Sequence, residues 1–128
     1  MEILGIGTDI IEIERIARLI EKSPRFAERV FTKAELDYCL SKRSRSAHLA
    51  ARFAAKEAVA KAIGRPLSWQ DVELANGTNG RPVIRLFGEA SRAAQGCRVM
   101  VTLSHSRNYA TATAIVVMCD ESKADGQR

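Results

Sequence analysis

AHLAARFAAKEAVAKAIG, residues 47–64, is the stretch from which the fold can be read. Its apolar positions recur at helical spacing, and Gly64 with Pro66 beyond it stops the helix near Ile63. On a helical wheel Ala51, Ala54, Ala55, Ala58 and Ala62 form a stripe of small side chains. Such a stripe lets a neighbouring helix or sheet approach closely, so this helix is expected at the centre of the fold.

Towards the N-terminus, Ile3 to Thr8 reads as a short, mostly buried strand, with Gly5 and Gly7 where other backbone comes near. Asp9 and Glu12 match a D-x-x-E capping pattern, and Ile10, Ile13, Ile16, Ala17 and Ile20 follow at helical spacing, which predicts a helix from Asp9 to about Ile20. Thr32 and Glu35 repeat the signal as T-x-x-E and start a second helix to about Leu40. Residues 41–46 form a basic, serine-rich loop. Towards the C-terminus, Val72 to Ala75 and Pro82 to Phe87 read as strands joined by a turn over residues 76–80. Glu89 to Gln95 reads as a short helix. Val99 to Ser104 and Ala110 to Met118 read as two more strands. The expected class is α+β, an antiparallel sheet packed on one long helix. Residues 1–119 form the domain and residues 120–128 a polar tail.

The 128 residues suffice for one modest core but not for a large cleft between lobes. An extended ligand would lie in a surface groove or between subunits. No apolar run is long enough to span a bilayer, and the strand-like start lacks the pattern of a secretory signal. Cys39, Cys97 and Cys119 are odd in number and free of CxxC spacing, which fits reduced thiols in the cytoplasm. A net charge of +5 implies an anionic partner without choosing among nucleic acid, a phosphorylated cofactor and an acidic protein. Aromatic residues make up only 5% and do not interleave with the basic ones, which disfavours single-stranded nucleic acid.

Two carboxylates carry the chemical argument. Asp9 is read either as a plain helix cap or as a metal ligand at the sheet edge, and local sequence does not separate the two. Glu57 follows Phe53 and precedes Lys61 at intervals of four, so the three line one side of the central helix beside the alanine stripe. Glu57 and Lys61 read as a solvated pair or as a cation ligand with a phosphate contact one turn on. Two carboxylates suit a Mg²⁺ ion that completes its shell with waters and phosphate oxygens. Arg52 and Lys56 are expected on a solvated basic face. His105, flanked by Ser104 and Ser106, reads as a hydrogen-bonded loop residue or a phosphate contact. Lys42, Arg43 and Arg45 are either solubilising or suited to a phosphate monoester. Arg15, Arg18, Lys22 and Arg25 form a solvated face or a strip for an acidic protein.

Together these segments resemble the holo-acyl-carrier-protein synthase family of small 4′-phosphopantetheinyl transferases. The likeness rests on Gly5-Ile6-Gly7-Thr8-Asp9-Ile10, on Arg52 to Lys61 (an F-x-x-K-E-x-x-x-K helix) and on Leu103-Ser104-His105-Ser106. Phe31 to Leu36 and Asn79-Gly80-Arg81-Pro82 match two further segments, all in the same order from Met1 to about Val117. Thr102 stands where the family often has serine.

The resemblance implies a homotrimer with interfacial active sites and the transfer of 4′-phosphopantetheine from coenzyme A to a serine of apo acyl carrier protein. It implies Asp9 and Glu57 as Mg²⁺ ligands, Lys61 at the coenzyme A diphosphate and His105 in the same pocket. Arg43 and Arg45 would lie near the adenosine 3′-phosphate, with Gly80, Arg81 and Pro82 also on the coenzyme A side. Arg15, with Arg18, Lys22 and Arg25, would dock the carrier. The base would be Glu57 through a water, or a hydroxide on the metal. The competing readings are a longer, two-repeat transferase, disfavoured by the lack of an internal repeat, and a non-enzymatic polyanion- or RNA-binding module.

Overall fold

The computed structural model describes residues 1–119; residues 120–128, read above as a polar tail, lie outside them. β1 (Glu2–Glu12) runs antiparallel to β5 (Tyr109–Met118), which runs antiparallel to β4 (Cys97–His105). β2 (Val72–Asn76) and β3 (Pro82–Leu86) pair in a separate two-stranded sheet, so there are two antiparallel sheets rather than one. The helices are α1 (Ile13–Lys22), α2 (Pro24–Val30), α3 (Lys33–Leu40), α4 (Arg45–Ile63) and α5 (Gly88–Ala93), with a 3₁₀ turn at Trp69–Asp71 before β2.

α4 lies across β1 and β5. Its alanine stripe is buried, and it meets Ala110, Ala112 and Ala114, which alternate along the inner face of β5. The glycines of β1 complete this close contact. A Cβ on Gly5 would overlap the Ala62 carbonyl, and one on Gly7 would overlap the Ala58 carbonyl and lie 2.8 Å from Lys61 Cβ. Helix and strand can therefore touch only because one carries alanine and the other nothing. Gly64, at φ +92°, ends α4 in the left-handed region, where its N–H reaches the Ala60 carbonyl at 2.8 Å.

The predicted helix from Asp9 is corrected. β1 continues to Glu12, with Asp9 opposite Ala112 and Ile11 opposite Ala110. α1 begins only at Ile13, and its N-cap residue Glu12 makes no side-chain cap bond. Ladder pairing and the burial of Ile11 outweigh a local capping pattern. The Thr32–Glu35 signal does form a full capping box, with both hydrogen bonds present. Helix α2, opened by Pro24, is an element the sequence reading lacked.

The solvated basic face expected for Arg52 and Lys56 is also corrected: they are 4% and 2% exposed. Lys56 Nζ lies 2.8 Å from Glu35 Oε1 and donates to the carbonyls of Trp69 and Val72. Glu35 also accepts from the backbone N–H groups of Thr32 and Leu74. Burial pushes the Lys56 ammonium below the ordinary lysine range, and Glu35 pulls it back. This pair ties α3, α4 and the start of β2 together in the core.

The outer face of the three-stranded sheet carries an apolar row among its threonines. Ile6 stands opposite Ile115, which stands opposite Met100, and Ile6 is 67% exposed. Ile10, four residues on along the same face of β1 and 66% exposed, extends this surface. No helix among the described residues is long and apolar enough to cross a membrane.

Candidate active site

Gly5, Gly7, Asp9 and Ile11 share the face of β1 that looks onto α4, by the two-residue period of a strand. Gly5 meets Ala62, and Gly7 meets Ala58 and Lys61, so β1 passes toward earlier turns of α4 as its numbering rises. Asp9 thereby stands beside the part of the helix that carries Glu57 and Lys61. Its backbone is fixed by the β5 ladder and by Thr111 Oγ1, which donates to the Asp9 carbonyl at 2.9 Å. Lys61 Nζ lies 3.2 Å from Asp9 Oδ1 and donates to the Thr8 carbonyl at 2.9 Å.

Lys61 therefore pairs with the strand carboxylate and not with Glu57 four residues earlier. Glu57 Oε1 instead accepts from the indole Nε1 of Trp69 at 3.2 Å. Phe53 and Glu57 are half-buried and Lys61 is exposed, as their position beside the alanine stripe requires. The result is one carboxylate and one ammonium paired at a partly open helix–strand junction, with a second carboxylate one turn earlier on α4 turned to Trp69. Both carboxylates supply hard oxygen donors, and no group of three or more His, Cys, Asp or Glu side chains converges among the described residues. That donor set suits a hard divalent ion that takes the rest of its shell from water and phosphate rather than from a protein cage.

A second site lies toward the start of α4. Tyr38, His48, Arg52, Gly80, Pro82 and His105 line a cleft of about 250 Å³. The His48 and His105 rings meet at 6.2 Å, the Tyr38 and His48 rings at 5.8 Å, and Arg52 Cζ lies 4.5 Å from the Tyr38 centroid. Burial, then the positive charge of Arg52 and the neighbouring His105 and Lys42, lower the His48 pKa below its ordinary value. Arg52 has no carboxylate within ion-pair distance, and its Nε is buried without a hydrogen-bond partner among the described residues. A buried guanidinium beside two imidazoles and no acid is an arrangement that an anion would complete.

His105 also borders an adjoining depression with Arg43, Arg45, Ser106 and Arg107. The structure thus brings His105 together with Gly80 and Pro82 on one side and with Arg43 and Arg45 on the other. Arg81 faces a different groove, between β3 and β4. Arg15, Arg18 and Lys22 line a surface depression on α1, where Arg18 pairs with Glu14, while Arg25 lies on α2 outside it. Sequence reasoning missed Arg52, His48 and Trp69. For Arg52 the available signal was its place three residues before Ala55 and one after Ala51, inside the small-residue face.

Residues 5–114 match the family model of the 4′-phosphopantetheinyl transferase superfamily. The chain is 47% identical to the holo-[acyl-carrier-protein] synthase of Protochlamydia amoebophila, over 88% of this chain and 96% of that one. It is 48% identical to the corresponding synthase of Moorella thermoacetica, over 88% and 93%. Among solved structures, it superposes on a Plasmodium yoelii holo-ACP-synthase with a TM-score of 0.83 and 32% identity, covering 93% of this chain and 98% of that one. A Bacillus anthracis holo-(acyl-carrier-protein) synthase in complex with CoA (3′,5′-ADP) gives 0.78 and 31%, covering 92% and 98%. The α+β architecture with antiparallel sheets is common to this chain and those structures.

Proposed function

The chain belongs to the 4′-phosphopantetheinyl transferase superfamily, and from that premise we propose that it transfers the 4′-phosphopantetheine group of coenzyme A to a serine of apo acyl carrier protein. The observation that supports the reading is the Asp9–Lys61 pair, with Glu57 one turn away on the helix that also carries the acid-free Arg52 guanidinium. The carrier's serine oxygen bonds to the phosphorus that bears pantetheine. The bond from that phosphorus to the bridging oxygen breaks, and adenosine 3′,5′-bisphosphate leaves.

Asp9 and Glu57 would hold Mg²⁺, which when bound supplies charge neutralisation at the diphosphate. Lys61, already at this junction through Asp9, can swing one donor to a phosphate oxygen and offset charge on the leaving group. Glu57 through a water, or a hydroxide on the metal, would take the serine proton. Arg52, His48 and His105 would accept the adenosine 3′-phosphate, with Arg43 and Arg45 at its rim and Gly80 and Pro82 against the nucleoside, while Arg81, turned into the neighbouring groove, would reach it only by changing rotamer. Arg15, Arg18, Lys22 and Arg25 would dock the acidic carrier. The exposed Ile6–Ile115–Met100 row supports a homotrimer that covers it, because a contiguous apolar face on a small chain is an association surface. Met100→Glu would then give monomers in light scattering; a trimer unchanged by it would remove this argument. Three free cysteines fit a cytoplasmic enzyme.

The test is mass spectrometry of apo carrier protein incubated with the enzyme, coenzyme A and Mg²⁺. The carrier should gain the phosphopantetheine mass. Asp9→Asn and Glu57→Gln should keep the native circular dichroism and lose transfer by orders of magnitude. An unmodified carrier refutes the reaction, and near-wild-type turnover of either variant at saturating Mg²⁺ refutes its place as a ligand.

A further inference from the structure

We propose that Trp69 is the positioning residue for the Glu57 carboxylate, and that this single tryptophan senses cation binding there; the inference rests on reading Asp9 and Glu57 as the cation's ligands. The indole N–H donates to Glu57 Oε1 at 3.2 Å, the one hydrogen bond this carboxylate receives among the described residues. Oε2 is thus left without a protein partner on a side chain whose orientation is already set.

The indole is held from three directions. The backbone carbonyl of Trp69 accepts from the buried Lys56 ammonium at 2.8 Å. The next residue, Gln70, donates its side-chain amide to the carbonyls of Glu28, Arg29 and Phe31, at 2.8, 3.2 and 2.9 Å, which pins the 3₁₀ turn to the end of α2. The ring lies against Phe53, with centroids 6.2 Å apart. Phe53 and Glu57 are one helical turn apart, so a single indole packs on one and bonds to the other.

The chemistry of the donor matters as much as its position. Asp9 is paired with a lysine, whose positive charge must be displaced or shared when a cation arrives. Glu57 is oriented by a neutral N–H that carries no full charge to repel an incoming ion. Hydrogen bonds of this kind, one step out from a ligand, typically govern metal affinity by ~10–100-fold when removed. Glu57 is therefore the preset ligand of the pair and Asp9 the one that must exchange its partner.

Trp69→Phe removes the N–H and keeps a ring for Phe53. Mn²⁺, which shares the oxygen preference of Mg²⁺, is the probe, with its free ion read by electron paramagnetic resonance in saturating coenzyme A. The variant should bind Mn²⁺ about ten-fold more weakly. The Mg²⁺ concentration for half-maximal transfer should rise in parallel, while kcat at saturating Mg²⁺ stays near wild type. A variant with unchanged Mn²⁺ affinity and unchanged Mg²⁺ activation overturns the proposal, as does a kcat loss that no Mg²⁺ concentration restores. Should the variant not fold, the wild-type fluorescence decides: a response to Mg²⁺ that Glu57→Gln abolishes supports the proposal, and no response refutes it. If Glu57→Gln itself binds Mn²⁺ as well as wild type, the ligand assignment beneath the proposal is what has failed.

Discussion

Removing the Lys56 ammonium should cost more stability than any other single-charge change on α4. Lys56→Met keeps the length and the apolar stem of the side chain. It strands the Glu35 carboxylate and the carbonyls of Trp69 and Val72 without their shared donor, in a region where Lys56 and Glu35 side chains are 1% and 0% exposed. Breaking one side of such a buried pair costs about 3–5 kcal/mol. With an unfolding entropy of about 2.1 cal/mol/K per residue, a chain this size loses roughly 0.27 kcal/mol per degree, so Tm should fall by about 10–20 °C. The assay is thermal circular dichroism at one fixed protein concentration, since association adds concentration-dependent stability. The double variant Glu35→Gln/Lys56→Met buries neither charge and should lose less than the sum of the single losses. A fall in Tm below about 3 °C, under roughly 1 kcal/mol, would mean that the ammonium is solvated in the native protein and would refute the account of the core.

Three further outcomes are expected. Gly7→Ala drives a methyl into the Ala58 carbonyl and Lys61, so β1 must lift from α4; expression of folded protein or transfer should drop sharply, and a stable, active variant would contradict the close contact. Arg15→Glu should raise KM for the carrier far more than KM for coenzyme A, with salt weakening the wild-type carrier interaction; equal changes in both would count against the α1 docking surface. His48 has a folded pKa below its unfolded value of 6.5, so the unfolded chain binds more protons in the window between them. Stability of the free protein should accordingly rise with pH through that window. His48→Phe should flatten the dependence in urea titrations carried down from neutral pH through 6.5, and a profile that the substitution leaves unaltered would show that His48 does not titrate differently on folding.

The parts of the fold legible in the sequence are those decided by neighbours a turn away. The Thr32–Glu35 box, the alanine stripe and the Gly64 stop all follow from local spacing. Asp9 was misread because its competing signals operate at different ranges. The capping pattern lies within three residues, whereas the ladder that wins comes from Ala112 on the far strand. Lys56 and Arg52 escaped for a similar reason. Five charges on a helix look solvated until Glu35 and Tyr38, from another helix, take two of them inside. At the candidate site, Lys61 beside Glu57 was visible as spacing, but its actual partner, Asp9, is distant in sequence. Trp69 carried no sequence signal, because nothing in a tryptophan after a proline-containing loop announces a bond to a carboxylate twelve residues earlier.

Lys56 and Glu57 are consecutive, yet one is locked into the core and the other opens outward to Trp69 and solvent. Each residue along a helix turns by about 100°, so these two roles fix the phase of α4 absolutely. Deleting or inserting one residue upstream within the helix would send the outward carboxylate toward the sheet or the inward ammonium toward water. Lengthening of this chain over evolutionary time should therefore be confined to loops such as residues 41–44 and 76–81, while the helix between them keeps its count.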